Sequence, residues 1–397
     1  MGYERHVIDL GAYGPRFTED PHPVYAELRE LGPVHRVRLP RPEVHDEVWL
    51  VVGYEEARAA LADPRLAKDG AKIGVTFLDE ELIGKYLLAA DPPQHTRLRG
   101  LIAREFTARR VERLRPRVQE MTDALLDTML PLGRADLVES FAYPLPLGVI
   151  CELLGVPEID RAAFRELSTE AVAPARAESA YDTFVELASY LRDLIEDKRC
   201  SPPADDLLSA LIRTTNEDGD RLSPAELRGM AFILLIAGHE TTVNLITGAV
   251  HALLTHPGQL AEVRADPSLV DAVVEETLRH EGPVENATFR FAAEPLEIGG
   301  TAIPAGDSVM IGLAAADRDG TRFPAADRFD IHRETRGHLA FGHGIHYCLG
   351  APLARLEAGV ALRTFLERCP DLALDGPPGD WLPGMLMRGV RSLPLRW

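Results

Sequence analysis

Long apolar runs are missing from this chain. The strongest, Ala231 to Ala237, falls far short of the ~20 residues that a bilayer span needs, so no membrane segment is expected. Cysteine is scarce. Cys151, Cys200, Cys348 and Cys369 stand far apart, and none belongs to a C-x-x-C pair. Neither a disulfide framework nor a zinc site is expected from such spacing. Positive charge is outnumbered, with 43 Lys and Arg against 62 Asp and Glu and a formal charge of −19. That balance argues against general nucleic-acid or anionic-membrane binding. The first residues, Met1-Gly2-Tyr3-Glu4-Arg5-His6, show no basic region followed by an apolar one. No signal peptide is expected, and cytoplasmic residence follows as the default.

There are also no internal repeats, no low-complexity tract and no long linker. Turn signals at Ser201-Pro202-Pro203 and Asp375-Gly376-Pro377-Pro378-Gly379 read as loops. From Asp91 to about Thr335 the pattern is mostly helical, with strand-like runs at Val48–Val52, Thr288–Ile298 and Ser308–Leu313. The expected fold class is mainly α with a small β portion, an α+β arrangement in a single domain over residues 1–397.

What is present concentrates near the C-terminus, in Phe341-Gly342-His343-Gly344-Ile345-His346-Tyr347-Cys348-Leu349-Gly350. One cysteine sits between glycines, two residues after a histidine. Leu349, Leu353, Leu356 and Val360 recur downstream at helical spacing. Cys348 therefore lies at a helix N-terminus, where the macrodipole favours a thiolate. Gly342, Gly344 and Gly350 permit left-handed backbone and close approach to a flat cofactor. A thiolate held this way suits an axial ligand of haem iron, which favours O–O cleavage. The absence of C-x-x-C-H argues against covalent haem.

A second signal is Ala237-Gly238-His239-Glu240-Thr241-Thr242, inside a helix predicted from Leu227 to about Leu254. Ser223, Pro224 and Glu226 form a capping-box pattern before it. Gly238 weakens the helix locally, and a threonine hydroxyl can bond the preceding turn and bend it. A local groove for O2 and water is expected there. Glu276 and Arg279 form E-x-x-R on one helix face. Asp91 is expected to cap a helix carrying His95 and Arg99 on one face, and Arg290 lies in a strand-like run. Such cations anchor carboxylates through charge-assisted bonds. From Arg97 to Arg117 eight arginines face two glutamates, which reads either as a solvated helix and loop or as a docking face for an acidic electron donor.

The chain resembles the cytochrome P-450 family, the haem-thiolate monooxygenases, through the complete F-G-x-G-x-H-x-C-x-G run at Phe341–Gly350. The resemblance implies haem b with Cys348 as its metal ligand, and His95, Arg99, Arg290, His346, Phe341, Gly342 and Gly350 around the cofactor. It implies proton delivery by Glu240 and Thr241, and a structural role for Glu276 and Arg279 completed by Arg328 or His332. Substrate would meet Ile233, Ile236, Ala237, Glu285, Asn286 and Leu386, under a lid at Val75–Leu88. The acidic run Asp79-Glu80-Glu81, or Glu285, would meet a cationic group such as an amino sugar. No G-x-G-x-x-G fingerprint follows a strand, so electrons are expected from a ferredoxin and its reductase. The implied activity is O2-dependent hydroxylation or epoxidation of a bulky apolar secondary metabolite (macrolide or polyketide, terpenoid or steroid) by a monomer. The rival readings are a peroxide-driven peroxygenase and a haem-based binding or sensor protein.

Overall fold

The computed structural model describes residues 7–40, 47–73, 83–157, 167, 177–214, 219–383 and 385–397. The chain divides into two compact units. The first comprises Met1–Phe77, Asn244–Cys348 and Leu366–Arg396; the second comprises Leu78–Val243, Leu349–Phe365 and Trp397.

The first unit holds the main sheet. Its strands are β1 (Ile8–Asp9), β2 (Val34–Arg38), β3 (Glu47–Val51), β4 (Leu66–Ala67), β5 (Arg290–Ala292), β6 (Leu296–Ile298), β7 (Thr301–Ile303), β8 (Ser308–Ile311), β9 (Ala373–Leu374) and β10 (Pro394–Arg396). Six of them form one sheet in the order β1-β2-β3-β8-β5-β4. β2 and β3 are antiparallel with Val34 opposite Val51, while β3 and β8 run parallel with Val51 opposite Ile311. β3 is buried on both faces. Trp49 and Val51 join Tyr54, Leu61, Val309, Ile311 and Phe323 on one side. Val48, Leu50 and Val52 join Leu10, Tyr25, Leu28 and Met310 on the other. Period-two alternation thus feeds two cores from one strand. The predicted strand Thr288–Ile298 is two strands, because Ala293 leaves the ladder to donate to Arg65 and Pro295 follows without an N–H.

The second unit is helical, with long segments at Gln94–Glu105, Arg115–Met129, Pro144–Leu154 and Ala177–Cys200. The central helix runs Pro224–Thr255 and passes from the second unit into the first after Val243. Its expected cap is present: Ser223 N–H donates to Glu226 at 2.9 Å and Glu226 N–H donates back to Ser223 Oγ at 3.2 Å. Length and composition alone would let this helix cross a membrane. Most of its apolar window is buried in protein, so it is read as a core helix. The cap expected at Asp91 is corrected. The helix begins at Gln94 without a side-chain cap, and Asp91 contributes its carbonyl, which accepts from His95 N–H at 2.9 Å.

Glu276 and Arg279 lie on the helix Val270–His280 with both side chains fully buried. Two parallel bonds of 2.7 Å join them. Arg279 also donates to the carbonyls of Asp317 (3.0 Å), Ala326 (2.8 Å) and Arg328 (3.1 Å). The expected third partner is corrected as well. Arg333 Nε reaches Glu276 at 3.3 Å, whereas Arg328 supplies only backbone and His332 pairs with Glu262 at 2.7 Å. A turn in which Arg333 N–H donates to Asp330, and Asp330 N–H to Glu276, delivers Arg333 rather than its neighbours. Because removing one partner strands a buried charge, Glu276→Gln should destabilise the protein by about 3–5 kcal/mol in chemical denaturation.

Candidate functional site

The cysteine loop is built from two left-handed glycines. Gly342 has φ +72° and Gly344 has φ +74°. A Cβ on Gly342 would meet no atom within 4 Å, but one on Gly344 would lie 3.0 Å from the Leu61 carbonyl and 3.1 Å from Ala62 Cα. Gly342 is needed for its conformation alone. Gly344 is needed for its conformation and for close approach to the end of the helix Tyr54–Ala62. Gly350 has no left-handed backbone; its carbonyl accepts from Ala354 N–H at 3.0 Å and starts the helix Ala351–Arg368.

Within the loop, Gly342 N–H donates to Leu339 at 2.7 Å, Tyr347 N–H to Gly344 at 3.1 Å and Cys348 N–H to Phe341 at 2.9 Å. The Cys348 thiol is exposed three residues before the helix. His346 closes a short 3-10 turn, and the Phe341 ring lies 6.3 Å from that of Tyr347. Ile345 and Tyr347 are large apolar side chains left exposed beside the thiol. The other cysteines differ. Cys151 is buried, burial pushes the Cys369 thiol up to about 11, and Cys200 approaches only Glu196, at 3.8 Å. Only Cys348 combines an accessible sulfur with a helix N-terminus.

Five accessible side chains of the central helix fall on one stripe. Ile233, Ile236, Ala237, Glu240 and Thr241 are exposed or half-buried, whereas Leu235, His239 and Thr242 are buried. Offsets of three, four, seven and eight residues place that stripe on one helix face. Thr241 Oγ1 donates to the Ala237 carbonyl at 3.1 Å, the bond to the preceding turn that the sequence suggests. Gly238 faces Ile150, where a Cβ would come within 2.9 Å of Cδ1, so the glycine lets two helices approach. His239 went unassigned at the sequence level. It is fully buried, its Nδ1 lies 2.9 Å from the Leu235 carbonyl, and Tyr143 packs edge-on at 5.6 Å. Burial lowers its pKa, which keeps the ring neutral.

The basic residues expected to hold carboxylates are divided between the two units. In the second unit, His95 is buried on the helix that also carries Arg99. Burial and the Arg99 charge lower its pKa, opposed by Asp91. In the first unit, Arg290 is 4% exposed at the start of β5, with Nη1 3.4 Å from the Leu66 carbonyl. Within the first unit, a thiol on a glycine loop, exposed apolar neighbours and the buried Arg290 guanidinium suit a flat, apolar macrocycle with carboxylate arms. Among the described residues no three of His, Cys, Asp or Glu are grouped to hold an ion, and a haem asks the chain for one such ligand only.

The structure brings Glu285, Asn286 and Leu386 together. Glu285 N–H donates to the Leu386 carbonyl at 2.9 Å, Val284 bridges Met387, and Asn286 Nδ2 donates to the Met385 carbonyl at 2.7 Å. Leu386 is 42% exposed. The Glu285 carboxylate, however, is buried and accepts a short bond from the Tyr25 hydroxyl. Burial pushes it up to about 7. It is an internal acceptor, which corrects its reading as the partner of a cationic substrate group. The acidic run at 79–81 and most of the lid at 75–88 lie outside the described residues.

Much of the basic segment is neutralised locally. Arg97 pairs with Asp220 and Glu226, Arg110 with Glu105, Arg115 with Glu112, and Arg117 with Glu120 and Glu152. Arg104, Arg109 and Arg113 stand exposed.

Residues 173–374 match the model of the family described as Cytochrome P-450. The chain is 59% identical to cytochrome P-450 monooxygenase PikC of Streptomyces venezuelae, covering 98% of this chain and 94% of that one. It is 47% identical to 6-deoxyerythronolide B hydroxylase of Saccharopolyspora erythraea, over 96% of each. The solved tirandamycin C-bound monooxygenase TamI superposes with a TM-score of 0.89 at 43% identity, covering 98% of this chain and 99% of that one.

The two loop glycines should respond differently. Gly342→Ala should cost about 1–2 kcal/mol, the strain of a left-handed non-glycine residue. Gly344→Ala should cost more in the same urea titration, because the Leu61 backbone cannot yield as a flexible side chain would.

Proposed function

The chain belongs to the cytochrome P-450 family of haem-thiolate monooxygenases, oxidoreductases that use O2, and from that premise we propose that it hydroxylates or epoxidises a bulky apolar polyketide or macrolide. Relatives include a hydroxylase of 6-deoxyerythronolide B and a monooxygenase solved with tirandamycin C. The observation that carries the proposal is the loop Phe341–Gly350. It presents the accessible Cys348 sulfur beside a helix N-terminus, on a backbone that only glycines adopt readily. The family's cofactor is haem b, whose iron the Cys348 sulfur would hold. His95, Arg99, Arg290 and His346 are the proposed partners of its propionates, and Phe341, Gly342 and Gly350 its proposed neighbours. When bound, the haem supplies the iron at which O2 is reduced and cleaved, one oxygen atom entering the substrate.

The chain's own residues then do four things. Cys348 holds a thiolate favoured by the helix macrodipole. Ile233, Ile236 and Ala237 offer an apolar stripe for substrate and shed water from it. Glu240, on the same stripe, holds a proton at its carboxylate and passes it on. Thr241 Oγ1 gives its hydrogen to Ala237 in this structure. To deliver a proton it rotates that hydrogen away and takes its replacement from the Glu240 side, which is general acid assistance. Glu285, Asn286 and Leu386 are also assigned to the substrate, through backbone and Leu386 rather than through the Glu285 charge. We assign electron supply to a ferredoxin with its reductase, docking on the face that exposes Arg104, Arg109 and Arg113. We place the protein in the cytoplasm as a monomer, with residues 1–397 as one catalytic domain.

The reduced, CO-bound spectrum tests the core of this reading: wild type should show the Soret shift of thiolate-ligated haem, and Cys348→Ser should lose it. Thr241→Ala should keep the shift yet form product about 10²-fold more slowly with a ferredoxin system, releasing peroxide instead. Peroxide-driven turnover unaffected by ferredoxin, with Thr241→Ala as active as wild type, would favour the peroxygenase.

A further inference from the structure

The buried pair Glu276–Arg279 and the cysteine loop are joined by a continuous path within the first unit. Arg279 Nη1 donates to the backbone carbonyl of Asp317 at 3.0 Å. Asp317 ends the short helix Leu313–Asp317, and its carboxylate Oδ1 accepts from Leu339 N–H at 2.7 Å. The Leu339 carbonyl accepts from Gly342 N–H at 2.7 Å, and the Phe341 carbonyl accepts from Cys348 N–H at 2.9 Å. Between Arg279 and Cys348 this path is backbone except for the Asp317 carboxylate.

That carboxylate is almost fully buried. Burying it is unfavourable, and burial pushes it up to about 7 against the opposing influence of His338, Arg279 and the Leu339 and Ala340 N–H groups. A helix end needs no buried acid. Its terminal groups are satisfied here by backbone, since Arg318 N–H bonds Ala315. What the acid adds is an acceptor for the segment that runs into Phe341 and Gly342. We propose that Asp317 is a positioning residue for Cys348: its carboxylate fixes Leu339, and Leu339 fixes the left-handed turn on which the thiol-bearing loop is hung. The inference rests on the reading of Cys348 as the iron ligand. It assigns Asp317 no contact with haem or substrate.

The test uses the haem-loaded protein and reads the CO-bound Soret band as the share of thiolate-ligated against thiol-ligated form, with melting temperature as a control. Asp317→Ala and Asp317→Leu, which lack the acceptor, should raise the thiol-ligated share about tenfold, the usual scale for outer-shell partners of a metal ligand. Asp317→Asn keeps an oxygen toward Leu339 and should stay within about twofold of wild type. If the acceptor-less variants show the wild-type share, or if Asn is as damaging as Ala, the inference is overturned. If those variants do not accumulate, amide exchange decides it in Asp317→Asn. The Leu339 and Gly342 amides should then stay protected to within about twofold of wild type, and a Leu339 amide that exchanges about tenfold faster while the thiolate-ligated share is unchanged overturns the idea. A wild type without the thiolate band overturns both readings. A wild type with the band and indifferent Asp317 variants overturns this one alone.

Discussion

A charge pair that never meets water organises the first unit. Glu276 and Arg279 are fully buried, and burying such ions is unfavourable unless every donor and acceptor is used. Their surroundings follow from that requirement. Arg279 spends its remaining N–H groups on the carbonyls of Asp317, Ala326 and Arg328, while Glu276 also accepts from Asp330 N–H and from Arg333. Irregular chain from 317 to 333, which has no ladder of its own to satisfy its backbone, is fixed by these contacts. The cations at its rim add packing: the Arg279 guanidinium lies 5.6 Å over the Phe323 ring, and that of Arg322 lies 4.8 Å over it. The segment leading into the cysteine loop therefore begins from a fixed point rather than from a free coil.

What could be read in the sequence divides along chain separation. The capping box of the central helix is legible because Ser223 and Glu226 are three residues apart and the chemistry is local. The same holds for Thr241 bonding Ala237 one turn back, for Glu276 with Arg279, and for the glycines around Cys348. The helical bias and the strands near Val48 and Ser308 were equally plain, since period alone betrays them. The rest depended on contacts that spacing does not encode. Glu285 meets Tyr25 across 260 residues, and nothing near Glu285 announces a phenol. Arg333 displaces Arg328 and His332 as partner of Glu276 because of how one turn is wound. The strand Val34–Arg38 escaped notice because its alternation is carried by His and Arg, whose stems pack while their heads reach outward.

Charge tells a similar story. Eight arginines in one segment suggest a single positive face in an acidic protein. In the structure four of the eight, Arg97, Arg110, Arg115 and Arg117, answer to carboxylates, some on the same helix and some far along the chain. Arg117 alone engages Glu120 three residues on and Glu152 thirty-five residues on. Exposed pairs of this kind contribute little stability, but they lower the local field. The exposed arginines of the segment are Arg104, Arg109, Arg113, Arg115 and Arg117, the last two within local ion pairs.

These observations bear on how a thiolate is kept usable. A sulfur buried like that of Cys369 is pushed up to about 11 and is chemically quiet. A sulfur left on an ordinary flexible loop would ionise more readily but point anywhere, whereas the iron ligand proposed at Cys348 must both ionise and keep one direction. In this chain accessibility comes from the loop's two left-handed glycines, which turn the chain around the short 3-10 segment that leads to Cys348. Direction comes from the backbone bonds that close the loop on Phe341 and Leu339. Rigidity is inherited through Asp317 from a buried ion pair whose own geometry cannot relax without stranding a charge. The E-x-x-R pair thus serves the chemistry without touching it, and its placement on the helix Val270–His280, about seventy residues before the thiol, follows from that division of labour.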